Sequence, residues 1–78
     1  MGLGVNPLGM IPPLDIFKID AYGDISWLEP ARDIESAKAR LRTLGAAMPG
    51  KYIVISEITG NQRFFTVEEN GEVSEGVD

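Results

Sequence analysis

Asp20, Asp24 and Glu29 lie close together in the chain, in D-A-Y-G-D and W-L-E. Paired carboxylates can do acid–base work or hold a hard cation. D-A-Y-G-D, however, has neither the spacing nor the ligand count of a calcium loop, and acidic residues at hairpin ends are ordinarily solvated. Ser26, Ser36, Ser56 and Ser74 have no histidine to activate them, because the chain contains none, and no G-x-S-x-G elbow occurs. There is no cysteine either, which excludes disulfides, thiolate nucleophiles and cysteine metal sites. The opening G-L-G-V-N-P-L-G fits neither a dinucleotide fingerprint nor a phosphate loop, since no strand precedes it and it opens no helix. Arg32, Lys38, Arg40, Arg42 and Lys51 could form a phosphate-binding face, yet Glu35 stands three residues before Lys38 and partly neutralises it. No catalytic, cofactor-binding or metal-ligating set assembles. The expectation is a protein that is not an enzyme, uses no cofactor and takes no small-molecule substrate.

The elements that would position these residues are few. Asp33 to Met48 reads as a helix, with Ile34, Ala37, Leu41, Leu44 and Met48 on one stripe and Lys38, Arg40 and Arg42 off it. Asp33 is its expected N-cap, and Gly45 an expected stop after Leu44. Leu14 to Ala21 reads as a strand, Tyr22-Gly23-Asp24 as a turn, and Ile25 to Leu28 as a second strand ended by the Glu29–Arg32 segment, where Pro30 cannot donate to a ladder. Lys51 to Ile58 is the most β-branched run. Thr59 to Gln62 is a turn, Arg63 to Val67 a fourth strand, and Asn70-Gly71 a further turn signal. A fifth strand at Glu72 to Ser74 would be acidic, and the expectation there is fraying. The fold class is therefore α+β: a ββαββ chain forming a four-stranded, mostly antiparallel sheet with one helix on one face.

Charge divides the 78 residues unevenly. Residues 1–67 carry seven basic and seven acidic side chains, so the net charge of −5 resides in Glu68, Glu69, Glu72, Glu75 and Asp78. The expected organisation is a Gly/Pro-rich segment over 1–13, a single domain over 14–67 and an acidic tail over 68–78. An acidic tail can solubilise, or can act as an arm that competes with nucleic acid for a basic protein. A net-neutral body beside such a tail argues against direct nucleic-acid binding. Residues 1–13 lack a basic flank and a continuous apolar run, so no signal peptide is expected, and no stretch reaches the roughly 18 apolar residues of a membrane span. The expected location is the cytoplasm, with Met10 as a second candidate start.

A single helix covers one face of a sheet, and here both faces are apolar. Tyr52, Val54 and Ile58 share one side of the third strand, Ile53 and Ile55 the other; Phe64 opposes Phe65, and Ile16 opposes Phe17. A large exposed apolar patch ordinarily marks an interface. The candidate interface is Ile16, Tyr52, Val54, Ile58 and Phe64, for a protein partner or a second copy. The competing reading is that loops, Trp27 and the Pro-rich start fold over that face. Trp27 itself is expected in the core.

P-P-L-D-I-F from Pro12, then the W-L-E of Trp27–Glu29, the helix E-S-A-K-A-R-L and P-G-K-Y-I-V-I-S from Pro49 together resemble a group of small uncharacterised bacterial proteins that begin near M-x-P-P-L-D-I-F. The resemblance covers about residues 10–63 and implies a similar helix and terminal hairpin, without an activity to carry over. The strand–strand–helix–strand–strand order is also that of β-grasp immunoglobulin-binding domains, an analogy of fold alone. It implies first and fourth strands paired in parallel at the centre. The resulting expectation is a non-enzymatic interaction module that self-associates or binds a partner through its open sheet face. The alternative is an acidic inhibitor of a nucleic-acid-binding protein.

Overall fold

The computed structural model describes residues 13–76. Strand β1 (Leu14–Ile19) turns into β2 (Ile25–Ala31); helix α1 (Ile34–Ala47) follows, then β3 (Gly50–Ser56), β4 (Gln62–Val67) and β5 (Val73–Gly76). They form one five-stranded sheet in the order β2-β1-β3-β4-β5, antiparallel throughout. Two expectations are corrected. The sheet has five strands, not four, and β1 lies against β3 in antiparallel pairing instead of against the fourth strand in parallel. The crossover explains the second point. Leaving β2, the chain runs back along α1, about 21 Å for its 14 residues, close to the length of a six- or seven-residue strand. It therefore re-enters the sheet on the free side of β1, next to the hairpin it left.

The first turn is closed by the Asp20 carboxylate, which accepts from the amides of Tyr22 and Asp24 at 2.8 and 2.9 Å, while Gly23 supplies a φ of 87°. β2 runs three residues beyond its expected end, through Pro30. It is an edge strand with a neighbour on one side only, where a proline removes no ladder bond. Leu28 is the extra residue of a bulge opposite Ile16 and Phe17. β5 pairs Val73, Ser74, Glu75 and Gly76 with β4, so part of the expected acidic tail is a strand.

Helix α1 begins as expected: the Asp33 carboxylate accepts from the Ser36 amide at 2.8 Å, which holds its pKa below the usual value. It does not stop at Gly45. Gly45 lies within the helix and buried, and a Cβ built on it would stand 2.0 Å from Val67 Cγ1. The glycine is there for close helix–sheet approach. The helix ends instead at Met48, whose amide donates to the Leu44 carbonyl and whose own carbonyl accepts from the Tyr52 hydroxyl. Helix and sheet enclose Ile16, Ala31, Ala37, Leu41, Tyr52, Val54, Phe65 and Val67, with Leu14, Leu28, Ile34, Leu44 and Val73 around them.

Candidate docking face

The face of the sheet turned away from α1 is a grid set by the strand registers. Its middle row runs Trp27, Phe17, Ile53, Phe64 and Gly76 across all five strands. One flanking row is Ile25, Ile19, Lys51, Thr66 and Ser74; the other is Pro30, Asp15, Ile55 and Gln62. The middle row carries no charge and each flanking row carries one. Trp27 and Ile25 are 55% and 52% exposed, whereas Ile53, at the centre, is 6% exposed. A row of aromatic and aliphatic groups on a pleated surface is held by cross-strand pairs such as Phe17–Trp27 and Ile53–Phe64.

Polar groups stand at the ends of the grid. The Trp27 indole Nε1 donates to Asp15 Oδ1 at 3.0 Å, which fixes the ring across the β1–β2 ladder. Glu57, just past β3, sits beside Asp15; the hydrogen bond and the charge of that neighbour hold its carboxyl above the usual value. The Glu57 amide donates to the Pro13 carbonyl at 2.7 Å. At the opposite end Lys51 is exposed and, among the described residues, makes no ion pair.

The expected interface residues are divided by the structure. Ile16, Tyr52 and Val54 lie under the helix at no more than 2% exposure, and burial alone raises the Tyr52 pKa. They cannot dock anything. Ile58 is 80% exposed but belongs to the β3–β4 turn, and Phe64 alone stands on the open face. The alternation within each strand holds, but the expected set mixes the two faces: Ile16, Tyr52 and Val54 share the helix side, where Tyr52 pairs with Phe65, while Phe64 pairs with Ile53 on the other. Trp27 is corrected from core to surface. The overlooked residues are Phe17, Ile19, Ile25, Trp27, Ile53 and Ile55. The usable signal was in β4, where Gln62 and Thr66 flank Phe64 on one side while Phe65 and Val67 share the other. The polar alternation of Gln62, Phe64 and Thr66 marks the face turned away from α1.

The remaining candidates have local roles. Glu29 pairs with Arg40 of the helix at 2.7 Å, and Arg63 makes a two-pronged contact with Glu75 at 2.7 and 2.8 Å. Both arginines are thereby held further in their charged form, and the Glu75 carboxyl is lowered by Arg63 first and by the charge of Lys38 last. The basic residues of α1 thus do not form one free phosphate-binding face. Glu68, Glu69 and Glu72 are exposed around Asn70. Among the described residues no group of three or more His, Cys, Asp or Glu could hold a metal ion, and no helix is long and apolar enough to cross a membrane. The stretch 1–12, with Met10, and the terminal Asp78 lie outside the described residues. In comparisons with protein-family models, with curated proteins and with solved structures, nothing matches the chain.

Proposed function

We propose that this protein is a non-enzymatic interaction module of the cytoplasm that docks another protein surface on its open sheet face. The supporting observation is the uncharged row Trp27, Phe17, Ile53 and Phe64, continuous across four strands and ending in a half-exposed indole. Apolar surface of this extent on a small domain is characteristic of interfaces, and aromatic anchors dominate their energetics. Trp27→Ser and Phe64→Ser remove anchors without touching the helix-side core. The full chain, immobilised, should hold a protein that both variants lose while keeping the wild-type circular dichroism spectrum. Retention of every bound protein by both variants refutes the reading.

A second reading, an acidic regulator of a nucleic-acid-binding protein, is favoured by the exposed Glu68, Glu69 and Glu72. Glu75 is already committed to Arg63. Replacing those three glutamates by glutamine should abolish such binding and leave open-face docking intact.

A further inference from the structure

We propose that the open face is self-complementary: two copies of this chain stack face to face over Ile53, and the Asp15–Glu57 carboxylates of each copy receive Lys51 of the other. This rests on the docking-face reading and names its occupant.

Ile53 is the centre of the grid, in the middle row of the middle strand. Lys51 is one row away on the same strand; Asp15 is one row away in the opposite direction and one strand over. With strands about 4.8 Å apart and same-face side chains about 6.7 Å apart along a strand, Lys51 lies about 7 Å from the centre and Asp15 about 8 Å. The line from Ile53 to Asp15 leans about 35° from the strand direction. A two-fold axis lying between the faces and passing over Ile53 can bring each Asp15 over Lys51 of the second copy. Doing so crosses the two sets of strands at that same angle. Face-to-face sheets prefer a crossing of about 30°, because each sheet is twisted. Charge match and twist match therefore demand one arrangement. It also places Phe17 against Phe17 and Phe64 against Phe64, each within about 3 Å in the plane of the sheet, so that aromatic meets aromatic.

Electrostatics point the same way. Asp15 and Glu57 crowd two carboxylates together, and the Trp27 indole that donates to Asp15 is neutral. Lys51, exposed at the far end, is the cation on this face among the described residues. Within one copy the acid pair and the lysine are at opposite ends of the grid, and across two copies they meet. Size sets the strength. The grid covers roughly 450 Å² in projection, so a pair removes on the order of 1,000 Å² from water, the lower limit for a specific interface. Such an interface belongs to a reversible pair with a dissociation constant in the micromolar range.

Sedimentation velocity of the full chain, from about 1 to 500 μM, should show a monomer–dimer equilibrium that weakens severalfold between about 50 and 500 mM salt. Asp15→Lys and Lys51→Asp should each weaken self-association at least tenfold. An equimolar mixture of the two should form a heterodimer of wild-type strength, since every lysine then meets an aspartate. Should Asp15→Lys not fold, isotope-filtered NMR on an equimolar mixture of labelled and unlabelled wild-type chain reads the intermolecular Phe17 contact directly. A wild-type chain that stays monomeric throughout, or folded variants whose mixture forms no heterodimer, overturns the proposal. Concentration-independent contacts from residues 1–12 to Phe17 or Phe64 would name the chain's own N-terminal segment as the occupant. That result overturns the second copy and leaves the docking face standing. A monomer with no such contacts, and no protein held through Trp27, overturns both.

Discussion

Gly45 and Val67 illustrate how one atom can set the distance between helix and sheet. In an exposed helix a glycine-to-alanine change gains about 1 kcal/mol. At Gly45 the added methyl would lie 2.0 Å from Val67 Cγ1 and 2.7 Å from its Cβ, far inside contact distance. Overpacking of a core costs about 1–3 kcal/mol, and the upper end applies where the obstacle is a buried β-branched side chain. Gly45→Ala should therefore destabilise the chain by about 1–2 kcal/mol in urea unfolding, as the difference between those two effects. Adding Val67→Ala should recover part of the loss, and strict additivity would refute the contact. Nothing local in L-G-A-A-M distinguishes a close approach from a stop, because the deciding residue belongs to β4. A carboxyl whose pKa is raised in the folded chain favours folding while protonated, and that contribution disappears as pH rises through the raised value. Glu57→Gln should therefore melt above wild type at neutral pH, with the advantage shrinking as the wild-type carboxyl takes up its proton toward about pH 4. Equal melting temperatures across that range would show that Asp15 and Glu57 do not interact.

Among the elements, α1 is the one most completely announced by its residues. Cap, first turn and apolar stripe are all local, and they placed its start correctly. Asp33→Ala should lower the melting temperature by leaving the Ser36 amide without its acceptor, and an unchanged melting temperature would show that the cap does not hold the helix start. The pH dependence of this cap has the opposite sign to that of Glu57. The Asp33 carboxyl is lowered, so its contribution holds above the ordinary carboxylate range and is lost as pH falls through the lowered value. Asp33→Asn should flatten that acid-side decline in a thermal melt series. The strands were less legible. Pro30 breaks a strand only if both its sides must pair, and the sequence does not say that β2 is an edge. The acidity of Glu72 to Ser74 points to fraying, because the Arg63–Glu75 contact that offsets it exists only in the β4–β5 register. An exposed pair of this kind contributes at most about 1 kcal/mol. Glu75→Gln should therefore speed amide exchange in β5 and leave β3 unchanged; equal acceleration in both strands would mean the pair supports the whole sheet.

For the whole molecule, the decisive choice is which side of the sheet the helix covers. Parity along each strand is readable from the alternation, but its sign comes only from β4, and Tyr52 and Val54 lie on the covered side instead of the expected open one. Their burial leaves the grid centred on Ile53 as the broad apolar row of the sheet face turned away from the helix, among the described residues. Docking there predicts that Trp27 fluorescence shifts to shorter wavelength on binding, and an unchanged emission would place the contact elsewhere. Pro30 has a bearing on what such contacts can build. Side-by-side extension of the sheet through β2 is interrupted by a residue with no amide hydrogen, and β5, at the other border, is four residues long among the described residues. Growth by adding strands, the route by which sheets run on into fibres, is thereby discouraged at both margins. The proposed face-to-face pairing would use up its own surface in a single step, so the mass reached on concentrating the protein should level off at twice that of the chain rather than keep climbing.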